Sequence, residues 1–185
     1  MASNRINGAC NSVPLSLATI ITLMLVFTGN SNAQNISKYY TSSLQQSGTL
    51  YFILPQSGFR NNEIRSELTY DITYLTAMDN TVLNFSYYDK LSRDIDSIAF
   101  VGDEIRITSI DIKKIFVEPK KGRWHYRYSS NFLFRDLANL FNQSPPPKLF
   151  LYTKQGIVEL NIKKKNWGKT TSVNRTIFTM IKHNQ

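Results

Sequence analysis

Two groups of basic residues carry the side-chain types and spacing best able to do chemistry. Lys120, Lys121, Arg123, His125 and Arg127 lie on or beside one alternating stretch, and Lys163, Lys164 and Lys165 precede Trp167 and Lys169. Guanidinium groups bind carboxylate or phosphate through two parallel hydrogen bonds, and an exposed indole stacks on a sugar ring or seats at a lipid headgroup. The pattern points to an anion-binding face. The competing structural reading makes the first group a solvated strand face, the second a basic turn, and Trp167 a core residue.

Residues for catalysis or metal binding are sparse. Of the two histidines, His183 reads as a solvated tail residue, and His125 sits between Arg123 and Arg127, whose charges disfavour its protonated form. No G-x-S-x-G elbow is present. The single cysteine is Cys10, and the chain has neither His-x-x-x-His nor an acidic loop of the EF-hand kind, so no metal and no cofactor is expected. Asp94 and Asp96 read as solvated turn carboxylates. Gly168-Lys169-Thr170 echoes the end of a phosphate-binding loop, but Lys163 stands where its first glycine belongs. No spacing singles out a carboxylate pair for glycoside cleavage. Asn35, Asn84, Asn142 and Asn174 open glycosylation-type triplets, a common pattern that needs a eukaryotic secretory route.

The elements that must hold these residues are mostly short strands. Thr49–Leu54 is apolar and stopped by Pro55. Leu68, Tyr70, Ile72 and Tyr74 alternate along 67–76, and Leu83, Phe85 and Tyr87 along 81–88, which reads as an antiparallel hairpin. A second hairpin is expected from 97–101 and 104–108 across Gly102-Asp103. A strand over 111–117 ends in the turn Glu118-Pro119-Lys120-Lys121-Gly122. Along 123–128, Trp124, Tyr126 and Tyr128 take one face and Arg123, His125 and Arg127 the other.

The apolar period then becomes helical over 130–142, with Ser129, Ser130 or Asn131 as caps and Pro145-Pro146-Pro147 beyond. A last hairpin, 149–153 with 157–162, precedes a C-terminal helix near 171–182. The expectation is an α+β domain, predominantly antiparallel β, forming a twisted sheet, sandwich or partly open barrel of about 7–9 short strands with two helices.

The first thirty-odd residues address the chain. Arg5 is its only charge before Lys38, Leu15–Phe27 is an apolar run of thirteen, and small residues end at Ala33. This matches a cleaved secretory signal over 1–33 and falls short of the roughly 20 apolar residues of a membrane span. Cys10 precedes the apolar run, which excludes a lipoprotein cysteine. The expected organisation is a loosely ordered 34–47 and one β-rich domain, 48–185, exported to a periplasmic or extracellular space without a transmembrane anchor, cysteine or disulfide.

Charge narrows the partners. The chain carries 22 Lys and Arg against 13 Asp and Glu, net +9, or +8 without Arg5. Residues 34–111 hold six bases and ten acids, whereas the chain after Asp111 holds fifteen bases and only Glu118, Asp136 and Glu159. A basic exported domain suits an anionic glycan, a lipid headgroup or a protein partner, and export argues against nucleic acid. The function expected is a non-enzymatic binding or assembly module. The alternatives are a carboxylate-dependent hydrolase of envelope or dietary polymers, or a structural support domain of an envelope assembly.

Overall fold

The two alternating runs read from the sequence pair along their whole length. In the structure, a computed structural model that describes residues 36–184, β4 (Ser66–Leu75) and β5 (Asn80–Asp89) are joined in register from Glu67↔Tyr88 to Tyr74↔Thr81. The expected signal segment lies outside the described residues. Every second residue of β4 and β5 is buried, as a period of two demands when one sheet face meets the core.

Around this hairpin the first sheet runs β1 (Tyr40–Gln45), β2 (Gly48–Ile53), β4, β5, β9 (Arg123–Leu133), β8 (Lys113–Lys120), with β3 (Phe59–Asn61) on the other half of β4. The second sheet runs β11 (Gly156–Leu160), β10 (Lys148–Thr153), β6 (Ile95–Val101), β7 (Arg106–Thr108). All eleven strands pair antiparallel, and both sheets are open. They pack on each other in the core and are hydrogen-bonded at one corner, where Arg60 and Asn161 exchange two backbone hydrogen bonds of 2.8 Å. Two helices, α1 (Phe134–Leu140) and α2 (Lys164–His183), pack into the same core. The domain is α+β and predominantly antiparallel β, and among the described residues no helix is long and apolar enough to cross a membrane.

Several boundaries differ from expectation. Residues 36–45, read as loose, form a 3-10 turn over Ile36–Tyr39 and then β1, the Leu54 N–H bonding the Tyr39 carbonyl at 2.8 Å. The unexpected strands β1 and β3 bring the number to eleven, above 7–9. Residues 130–133 stay in β9 because Phe132, opposite Thr81, enters the core at strand spacing. The expected caps are spent there: Ser130 Oγ donates to the Asp111 carbonyl, and Asn131 bonds the Asp111 carboxylate. Helix α2 starts at Lys164 rather than near 171 because Trp167 extends its buried stripe of Val173, Ile177 and Ile181 by nearly two turns. The β6–β7 connection is four residues, closed by Gly102 N–H to the Ile105 carbonyl at 2.8 Å, not the two of a tight hairpin.

Tyrosines of the first sheet fix the loop before β6. The Tyr126 hydroxyl accepts the Arg93 N–H at 2.9 Å and donates to Ser92 Oγ at 3.1 Å, while the Tyr128 hydroxyl accepts the Ile95 N–H at 3.2 Å. Tyr70 is different, because its hydroxyl is buried without a partner. Burial pushes the Tyr70 phenol well above its usual range, and burial followed by Asp89 does the same to Tyr87. Unfolded tyrosines ionise near pH 10 while these stay protonated, so their contribution is complete below about pH 10 and falls away above it. Tyr70→Phe should therefore raise stability by about 1 kcal/mol near neutrality and flatten the alkaline decline. Thermal unfolding from neutral to alkaline pH checks both, and a lower melting temperature at neutral pH would refute the orphaned hydroxyl.

Candidate functional site

The first basic group sits on the β8–β9 hairpin. Its turn is Lys121-Gly122, with φ of 51° and 73°, the two positive values of a type I′ turn. Strand β8 thus runs on through Pro119 to Lys120, past the expected stop, with Pro119 opposite Trp124. Pro119 fits because β8 is an edge strand, where a missing N–H is tolerated.

Lys120, Lys121 and Arg123 gather at the tip. The Arg123 guanidinium lies 5.1 Å from the centre of the Tyr88 ring, with Lys120 Nζ at 6.0 Å. Tyr88 stacks on His125 at 4.4 Å between ring centres, and Phe116 closes on the same imidazole edge-on at 5.2 Å. Tyr88 is the residue the sequence argument missed. The alternation of β5 that buries Tyr87 turns Tyr88 outward, beside Arg123, and that parity was the available signal.

His125 and Arg127 are not free groups on this face, which corrects their place in an anion-binding set. His125 is 7% exposed, and its Nδ1 lies 2.9 Å from Glu118 Oε1. Its Nε2 is buried without a partner among the described residues. Arg127 bonds the Asp71 carboxylate and Ser86 Oγ across two strands. Both side chains use their polar atoms to tie the outer sheet face together.

The second group opens helix α2. Lys163, Lys164 and Lys165 are exposed, and Lys163 caps the helix without a side-chain hydrogen bond. Three lysines at a helix start oppose the macrodipole, an arrangement that is unfavourable by itself. Lys163 and Lys169 line a cavity of about 530 Å³ with Arg60, Ser57 and Asn166, and none of its lining comes from the β8–β9 hairpin. The two basic groups therefore form separate surfaces. Trp167, read from the sequence either as an exposed stacking indole or as a core residue, is 3% exposed and belongs to the core. Its ring lies between Phe59 (6.4 Å) and Phe141 (6.1 Å), and Nε1–H donates to the Gln143 carbonyl at 3.0 Å. An indole so enclosed cannot stack on a ligand.

Several acids are already paired. Lys114 holds the Asp94 carboxyl below its usual range by a hydrogen bond and its charge, and Lys148 does the same to Glu159 at 2.8 Å. Where a pocket brings two carboxylates near each other, Asp94 with Asp96 or Glu63 with Asp89, one member of each pair is already bound, to Lys114 and to Arg93. Among the described residues no group of three metal-ligating side chains comes together. Of the glycosylation-type asparagines in the described part, Asn174 is buried and Asn84 bonds Asp71 in mid-sheet, leaving Asn142 exposed. No protein-family model matches this chain, and comparison with curated proteins and with solved structures finds no significant match either.

Proposed function

We propose that the protein is an exported, non-enzymatic binding module that engages an anionic partner through the β8–β9 hairpin. One observation carries the reading: Lys120, Lys121 and Arg123 converge at the hairpin tip with no carboxylate partner among the described residues, while the acids Asp71, Asp89, Asp94 and Glu118 are held by other groups. Cations left unneutralised on a rigid edge keep their full attraction for an incoming anion. Tyr88 under Arg123 adds a preset orientation, since the ring holds the guanidinium plane without consuming its charge. The signal-like leader supports a periplasmic or extracellular setting, in which glycans, lipid headgroups and other proteins are the anions met.

The test is retention on an immobilised anionic polysaccharide such as heparin. Reversing Lys120, Lys121 and Arg123 to Glu together should weaken binding by at least about tenfold, since each exposed charge contributes up to ~1 kcal/mol. Thermal unfolding should change little, because these side chains are at the surface. Arg127→Glu is the contrasting variant. It sets a carboxylate against Asp71 and should lower the melting temperature instead. Retention of the triple variant equal to that of the parent chain would sink the proposal.

A further inference from the structure

We propose that the β8 edge, together with the hairpin tip, docks on an anionic lipid bilayer, its apolar side chains entering the interface between two lysine groups; this rests on the hairpin reading above and names its partner. All eight residues of β8 are exposed, although Ile115, Phe116 and Val117 are consecutive, at 53%, 41% and 43%. Trp124 follows on β9 at 37%. Water-facing apolar groups in this concentration on one edge need a partner.

The edge itself says which partner. A strand-forming protein would need a continuous row of backbone donors and acceptors, but Pro119 has no N–H and the register shifts between Lys114 and Phe116. Those features blunt an edge against strand addition while leaving the side chains outward. A second copy pairing antiparallel would set Lys113 and Lys114 against Lys120 and Lys121, like charge on like. A bilayer asks for no backbone hydrogen bonds, accepts the aliphatic and aromatic groups at headgroup depth, and places anions opposite Lys113, Lys120 and Lys121, Lys114 being held by Asp94. Trp124 has the amphipathic ring enriched at that depth. Glu118, the acid on β8, is turned back onto His125.

The test mixes the purified chain with vesicles of phosphatidylcholine, with or without about one-third phosphatidylglycerol. Co-sedimentation is expected with the anionic vesicles and not the neutral ones. Trp124 emission should shift to the blue, a shift absent in Trp124→Phe because Trp167 is already buried. Ile115→Ser with Val117→Ser should weaken vesicle binding by about tenfold while heparin retention is kept, since those groups contribute buried apolar area rather than charge. Vesicle binding unchanged by that pair, or heparin retention with no vesicle binding, overturns the bilayer inference and leaves the basic hairpin standing. Retention on poly-glutamate in place of vesicles assigns the edge to an acidic protein and overturns it as well. Binding to neither heparin nor vesicles overturns both.

Discussion

Replacing Asp89 by alanine is expected to destabilise the domain by about 3–5 kcal/mol, because it leaves a buried cation without its counter-charge. Asp89 is 1% exposed at the end of β5. Its carboxylate accepts hydrogen bonds from the Tyr87 hydroxyl, from Arg93 Nε at 3.0 Å and from the Leu91 N–H at 3.0 Å. Arg93 is itself only 13% exposed, so water replaces the lost partner only in part. For a domain of this size the change corresponds to a fall of roughly 10 °C in melting temperature. Removing both ends, Asp89→Ala with Arg93→Leu, should recover part of the loss, as happens when a buried pair is replaced by apolar groups. Chemical denaturation of the two variants checks this, and a loss below about 1 kcal/mol for Asp89→Ala would mean that the carboxylate is solvated. Asp89 also pairs with Trp124 in the sheet register, so the same network braces the base of the proposed docking edge.

Phe100→Ala is expected to lose a comparable amount, about 3–5 kcal/mol, for a different reason. Phe100 is fully buried on β6, in the second sheet. Its ring meets Phe59 at 5.8 Å, Tyr70 at 6.2 Å and Phe132 at 5.9 Å, all three on the first sheet. Truncation removes the wedge between the layers and leaves a cavity whose aromatic walls cannot collapse, since each is fixed by a strand ladder. Equilibrium unfolding would show the loss, and Phe100→Leu should be milder because it keeps most of the volume. If the two variants were equally stable, the rings would not be packed on one another.

Much of the first sheet was legible because its strands obey one period. Alternation in β4 and β5 gives strand, face and pairing together, as a single hydrophobic face admits one register. Where local and long-range signals compete, the local one misleads. Ser130 and Asn131 look like helix caps before an apolar run, yet Asp111 binds both and β5 holds the chain extended. Lys163–Lys165 and Gly168 look like a turn, yet Trp167 finds a pocket between Phe59 and Phe141 that pulls the helix start back to Lys164. Such contacts span large sequence separations, and no window of neighbouring residues contains them.

The candidate site divides along the same line. Residue types and charge placed the unneutralised bases after Ile112, because fifteen bases against three acids cannot be neutralised within that half. What the sequence could not say is which cations stay free. His125 is withdrawn under Tyr88 and Phe116, Arg127 is claimed by Asp71 from two strands away, and Trp167 is enclosed by the core. The sequence by itself determined the strand-rich class, the alternating faces and the basic C-terminal half, since these depend on periodicity and composition. Only the tertiary structure decided that Lys120 and Lys121 stand exposed, with Arg123 half-buried over Tyr88, beside an apolar edge, because burial and ion pairing depend on which strands become neighbours.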